Sequence, residues 1–299
     1  MIKNFINTNK FNISKEQIKF FENNGYLILE RSHDFWNSHN VDLEYIKSKC
    51  DSLIIEEGDL AGQDGKLKIG KQFGEKGANR LKNLLAKGDC FRKLIAIPDI
   101  LYLPFFLLGE NFKLSSIDMR EPIKNTGYQG LHLDWKQRQN KDENFFQCTA
   151  FILLDDVNEN NGAIRVIPRS HKELVNIKSV SDNQDKRTKE DNNTLNMHDK
   201  KYSTLLTGKF GDIILLNVNT FHGGTNNISG ERRRLIHLNY RHTSLPLNID
   251  QYEFIPKNLH KNFNDFEKYL ISLYKKPFWN NFIKKIRIKI ILIYTKLFK

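Results

Sequence analysis

From about residue 113 the chain passes through a series of short apolar segments with no helical pattern between them. They are FKLSSIDMRE, GLHLDW, FFQCTAFILLDDV, GAIRVIPRS, GDIILLNVNTFHGG and RRRLIHLNYRH, punctuated by Gly, Asn and Asp. This order constrains the fold more than any other feature. Parallel strands need crossovers of a dozen or more residues, usually helices. Strands that follow one another without helices must therefore pair antiparallel and pack as a sandwich or close as a barrel. The preceding part is helical. SKEQIKFFENNGYLILE (14–30) reads as a Ser-capped helix, an Asn-Asn-Gly stop and a short strand. Helical spacing covers 42–57 and 79–109, with Leu81, Leu84, Leu85, Phe91, Leu94 and Ile95 on one side, and Pro98 and Pro104 are expected to break the second stretch. The fold class is α+β.

At 299 residues the chain can bury a large core, and with no Pro/Gly/Ser-rich linker it reads as one elaborated domain over 1–262. The polar, glycine-free stretch between Lys172 and Tyr202 reads as a long insertion, either disordered or a lid over a site. Residues 263–299 form a basic helical tail. The formal charge of +12 is concentrated there: residues 275–299 hold eight Lys/Arg and no acid, and the rest has 39 basic against 35 acidic residues. That distribution, without zinc-finger, RNP or P-loop spacing, excludes nucleic acid as the expected partner. In the tail, Ile283, Ile286, Ile290, Ile293 and Leu297 make an apolar stripe beside the charges, but no uncharged run is long enough to span a bilayer. Three readings compete: a helix packed on the body or on a second copy in a homo-oligomer, a helix lying through 277–299 on the inner face of an anionic membrane, or a frayed end. Cys50, Cys90 and Cys148 are widely spaced and no signal-peptide pattern opens the chain. Reduced thiols and a cytoplasmic location follow as expectations.

In GLHLDW, period-2 alternation would put His132 and Asp134 on one face and Leu131 and Leu133 on the other. Such a pair is either half of a metal site or an ordinary polar pair at a strand end. A third ligand decides between them, and GDIILLNVNTFHGG offers one where an apolar strand runs out into His222. Two imidazoles and a carboxylate on one side of a metal are the facial arrangement of non-haem Fe(II) oxygenases, with positions left open for co-substrate and O2. Such an oxygenase needs a source of electrons, commonly 2-oxoglutarate, whose distal carboxylate needs a fixed cation. Arg233 stands eleven residues beyond His222, on one face with Leu235, His237 and Asn239. Its guanidinium can meet a carboxylate with two parallel hydrogen bonds, whereas Arg232 and Arg234 face away. The remaining histidines (His33, His39, His198, His237, His242 and His260) lack this strand-end placement, and His237 is placed to line the pocket beside Arg233.

The ordered set GYLILE, GLHLDW, NNGAIRVIPRSHK and GDIILLNVNTFHGGTNNISGERRRLIHLNY, spanning about 15–245, resembles the phytanoyl-CoA dioxygenase family of Fe(II)/2-oxoglutarate oxygenases. The resemblance implies a double-stranded β-helix, a jelly roll with helices outside. It implies Fe(II) held by His132, Asp134 and His222, 2-oxoglutarate held by Arg233, and O2 as co-substrate. It also implies hydroxylation of an unactivated C–H bond in a small molecule, a lipid or a sugar-linked substrate, with release of succinate and CO2. Relatives often carry a hydroxyl residue two positions after the distal His. Here that position is Gly224, which turns attention to Thr225 as a 2-oxoglutarate contact. Many relatives read Pro-Gly-Ser-His where this chain has Arg169, and His171 reads as a loop anchor. Gln129, Trp135 and the 172–202 segment are the candidates for reading the substrate. Two alternatives stay open: a jelly-roll isomerase or lyase without 2-oxoglutarate, and a non-catalytic binding module. Halogenation is disfavoured because Asp134 fills the place a halide would need.

Overall fold

The computed structural model describes residues 1–58, 77–135, 143–172, 199 and 201–274. Most of the 172–202 insertion and the tail stripe from Ile283 to Leu297 lie outside the described residues.

Helix α1 (Ile2–Thr8) is followed by α2 (Lys15–Asn24), which begins as its sequence requires. The Ser14 hydroxyl accepts from the Gln17 amide, and the Gln17 side chain accepts from the Ser14 amide. It ends at Gly25, whose left-handed φ of 81° suits glycine. A Cβ there would also lie 2.1 Å from the Thr220 hydroxyl and 2.6 Å from His171 Nδ1. The glycine thus lets α2 hand over to β1 (Tyr26–Leu29) against the turn that leads to His222. Then come α3 (His33–Ser38), α4 (Leu43–Glu57), β2 (Ala78–Leu81), two 3-10 segments (Leu84–Ala86 and Asp89–Ala96) and α5 (Pro98–Leu108).

Six strands form the larger sheet in the order β1-β7-β4-β9-β3-β2, with β3 Phe112–Pro122, β4 Gln147–Leu153, β7 Ile213–Leu216 and β9 Leu235–His242. The smaller sheet has the order β6-β5-β8, from β5 Ile164–Val166, β6 Thr204–Leu206 and β8 His222–Gly224. Every strand pair is antiparallel. The molecule is α+β with a jelly-roll core.

Period-2 alternation sorts the larger sheet into two faces. Ile117, Met119, Ala150, Ile152, Ile213, Leu215, Ile236 and Leu238 join the core beneath the helices. Phe151, Leu153, Ile214, Leu216 and Leu235 face the smaller sheet and meet Ile164, Val166 and Leu206. Farther along this inner face the residues turn polar. Thr149 donates to Asn239 at 2.8 Å and Asn239 donates to Ser116 at 2.9 Å, a ladder across three strands at the floor of a cavity.

Two expectations need correction. Residues 78–81 are strand, because Ala78–Leu81 pair with Met119–Pro122 along the sheet edge, and this pairing overrides the local helical spacing. Pro104 lies inside α5 and does not break it. A proline there removes one helical hydrogen bond, a cost of about 3 kcal/mol. Burial of Ile100, Leu101, Leu103 and Leu108 on the core offsets it.

Candidate functional site

The site is built where the GLHLDW segment lies along β8. Only His132 there is bridged as in a strand, to His222: its amide donates to the His222 carbonyl at 2.8 Å, and its carbonyl accepts from the His222 amide at 3.1 Å. Gln129 extends the pairing to the Gly224 carbonyl at 2.9 Å, and the Asp134 amide donates to Val218 at 3.2 Å. This approach needs Gly223, since a Cβ there would stand 2.6 Å from the Gln129 carbonyl oxygen. Alternation survives in the irregular backbone. Leu131 and Leu133 pack with Ile167 and Phe221, which turns His132 and Asp134 to the other side.

Asp134 Oδ1 lies 3.4 Å from His132 Nε2, and Oδ2 lies 3.5 Å from His222 Nε2. One donor atom from each of the three residues falls within 4.8 Å of the other two. Both imidazoles are held from behind. His132 Nδ1 is 2.8 Å from the Gly130 carbonyl and His222 Nδ1 is 2.8 Å from the Thr220 carbonyl. A carbonyl can only accept, so each Nδ1 carries the hydrogen and each Nε2 keeps its lone pair directed at the centre. Burial opposes the charge on His222, but Asp134 outweighs it and raises the imidazole above its ordinary value; burial likewise opposes the Asp134 charge, and the two imidazoles hold the carboxyl well below its usual range. The centre attracts a cation, and its two nitrogens and one hard oxygen, with no thiolate, fit Fe(II).

The adjoining cavity is about 330 Å³ and is lined by Gln129, His132, Asp134, His222, Arg233, His237 and Asn239, among others. Arg233 is 1% exposed and precedes β9 on its inner face. Arg232 and Arg234 turn outward. Arg234 binds Asp155 through two bonds of 2.7 and 2.5 Å and Asp51 at 2.6 Å, and Arg232 binds Glu121 and Asp51. His237 faces Phe151 at 4.7 Å between ring centres. Its basicity is suppressed first by burial and then by Arg80, Arg120 and Arg233, so it is a neutral ring.

Other expected residues fall elsewhere. The Thr225 hydroxyl donates to the Ala163 carbonyl at 3.0 Å, and Thr225 is not among the residues lining the cavity. Trp135 is half-buried against Phe146 and is likewise outside the lining. His171 Nε2 lies 3.0 Å from the Glu22 carbonyl and ties the 167–172 turn to α2. Arg169, at φ 71°, adopts the left-handed conformation for which glycine is better suited. Sequence reasoning missed Arg80, Lys82, Arg120, Gln147 and Arg241, all in the cavity wall. The signal lay in the strands, where Ser116, Asp118 and Arg120 alternate with Ile117 and Met119 on a strand buried throughout.

A family profile described as phytanoyl-CoA dioxygenase (PhyH) matches residues 21–235. The chain belongs to the phytanoyl-CoA dioxygenase family. The matched span contains His132, Asp134, His222 and Arg233, and the family is one of Fe(II)/2-oxoglutarate-dependent oxygenases. A relative named probable alpha-ketoglutarate-dependent hypophosphite dioxygenase, from Stutzerimonas stutzeri, is 30% identical over 164 residues, covering 54% of this chain. The match spans 56% of that protein. The ectoine dioxygenase of Bordetella bronchiseptica is 20% identical over 271 residues, with 83% of this chain and 82% of that one covered. Among solved structures, EctD from S. alaskensis with bound Fe has a TM-score of 0.60 at 22% identity, covering 80% of each chain. HygX from Streptomyces hygroscopicus, with nickel and 2-oxoglutarate bound, has a TM-score of 0.56 at 17% identity, covering 79% of this chain and 89% of that one. These likenesses place the PhyH-family chain on the jelly-roll fold. No helix among the described residues is long and apolar enough to cross a membrane.

Proposed function

We propose that the protein is an Fe(II)- and 2-oxoglutarate-dependent dioxygenase that hydroxylates a C–H bond of a small polar molecule and releases succinate and CO2. The observation that carries this reading is the convergence of His132 Nε2, Asp134 and His222 Nε2, with both Nδ1 atoms tied back to carbonyls. In this reading His132, Asp134 and His222 hold Fe(II). Arg233 takes the distal carboxylate of 2-oxoglutarate, in a buried place where a charge-assisted pair of hydrogen bonds is strong. Gln129, whose Oε1 accepts from the Gly224 amide at 3.3 Å, borders the substrate space. Iron and 2-oxoglutarate, when bound, supply the oxidising chemistry.

The chain's own residues orient and enclose. The Gly130 and Thr220 carbonyls fix the two imidazoles in their metal-binding tautomer. The buried guanidinium sets which end of the co-substrate faces the metal, and Phe151 and Ile164 close the cavity on its apolar side. A volume of about 330 Å³ is at the low end for small-molecule sites. It favours a compact substrate over a lipid chain. The relatives' names, hypophosphite and ectoine dioxygenase, agree with small substrates.

The test is anaerobic titration of Fe(II) and 2-oxoglutarate into metal-free protein, following the weak visible charge-transfer band of the chelated complex. The band is expected in the wild type and reduced in Arg233→Ala. Tight metal binding with no band at saturating 2-oxoglutarate sinks the reading in favour of a jelly-roll isomerase or lyase.

A further inference from the structure

The cavity wall carries cationic side chains besides Arg233. Arg80, Lys82, Arg120, Arg233 and Arg241 line it, against Asp118 and Asp134 among the described residues. Lys82 lies 3.6 Å from Asp118. Placement divides the cations into two groups. Arg80 and Arg120 pair directly across β2 and β3, and Arg120 Nη1 lies 3.4 Å from where a Cβ would stand on Gly224, two residues past His222 and on the side of Arg233.

Arg241 is at the other end of the inner face of β9. Its Nε donates to Gln147 Oε1 at 2.6 Å and its Nη1 to the Pro246 carbonyl at 3.2 Å, both neutral acceptors. Gln147 in turn donates from Nε2 to the Asp134 carbonyl at 3.2 Å. Arg241 therefore stands one side chain away from the metal-binding loop, with its plane fixed.

We propose that Arg241 is the substrate-anchoring residue and that the primary substrate is an oxyanion, its carboxylate or phosphorus-oxyanion group seated on Arg241 at the end of the cavity away from Arg233. This rests on the oxygenase reading of the cavity. The Ser116, Thr149 and Asn239 ladder lies on the same wall and supplies neutral polar groups to the remainder of a small substrate. A guanidinium held in one plane presents its fork to two oxygens of one anion, which a neutral amide of similar size cannot match.

The test uses the full chain loaded anaerobically with Fe(II) and saturating 2-oxoglutarate, and three probes: phosphite, propionate and the uncharged propionamide. Binding is read by the change in the charge-transfer band and by titration calorimetry. At least one anion is expected to bind and propionamide is not. Which anion binds better distinguishes a phosphorus oxyanion from a carboxylate. Arg241→Gln is expected to weaken the anion about tenfold or more, with the 2-oxoglutarate titration unchanged, and Arg241→Lys to fall between. If Arg241→Gln does not fold, Arg241→Lys carries the comparison. The inference is overturned if the wild-type band appears but neither anion binds below about 0.1 M, where screening is strong. Equal anion binding in the variants, or displacement of the anion by more 2-oxoglutarate, overturns it too. Absence of the band itself is a different failure, that of the oxygenase reading.

Discussion

Arg232 and Arg234 point out of the sandwich onto carboxylates, while Arg233 between them points in. Outside, the anions come from the chain itself: Asp51, Glu121 and Asp155 gather the strand approach of β9, the helix α4 and the edge of β3 into one network. Inside, Arg233 shares a cavity with two histidines and an aspartate arranged for a metal. The same residue type thus does structural work on one side of the backbone and is placed for ligand work on the other. The difference comes from strand alternation, which turns consecutive side chains to opposite faces. Outer arginines should report in stability and inner ones in ligand binding.

The largest expected effect belongs to the inner side. His222→Ala removes a proposed ligand whose backbone also bridges His132, and the Fe(II)/2-oxoglutarate charge-transfer band should be lost altogether; a retained band would show that the three donors are not the metal site. Next comes the outer side. Arg234→Ala leaves Asp155 without its two-bond partner in a nearly buried place, and urea unfolding should show a loss of about 3 kcal/mol. The half-saturating concentration of 2-oxoglutarate should not change, and a large change there would break the division between the faces. Arg233→Ala should reverse the pattern, raising that concentration by about tenfold to a hundredfold, in line with hydrogen bonds to a charged group of about 1.5–3 kcal/mol. Arg233→Lys, which keeps the charge and loses the fork, should fall between the two.

The smallest effect concerns Lys113, a buried cation outside the cavity lining. Lys113 donates to the Tyr269 carbonyl and lies over the Tyr269 ring. Burial pushes its ammonium down to about 8 from its ordinary 10.5. The unfolded chain then binds more protons than the folded one between those values, so stability should rise modestly as pH goes from 8 to 10.5. Lys113→Met should flatten that slope in urea midpoints measured across the same window.

Much of this was legible in the sequence because it depends on short-range pattern. The Ser14–Gln17 capping box and the Gly25 stop are local chemistry, and α2 begins and ends where they place it. The alternation in GLHLDW survived even though the segment forms only one bridge, since burying Leu131 and Leu133 is enough to turn His132 and Asp134 the other way. Residues 78–81 misled because a four-residue edge strand is defined by its partner β3 and not by its own spacing. Thr225 is the hydroxyl residue next to Gly224 in sequence, but the β5–β8 pairing turns its hydroxyl to Ala163.

By itself, the sequence determined an antiparallel core after a helical start, the identity of three metal-ligand candidates and the inward phase of Arg233, because periodicity and residue chemistry are properties of neighbouring positions. Only the tertiary structure decided that Arg80, Arg120 and Arg241 share a cavity with them. Those residues come from β2, β3 and β9, and which faces of distant strands meet depends on sheet order and register, which no local window contains.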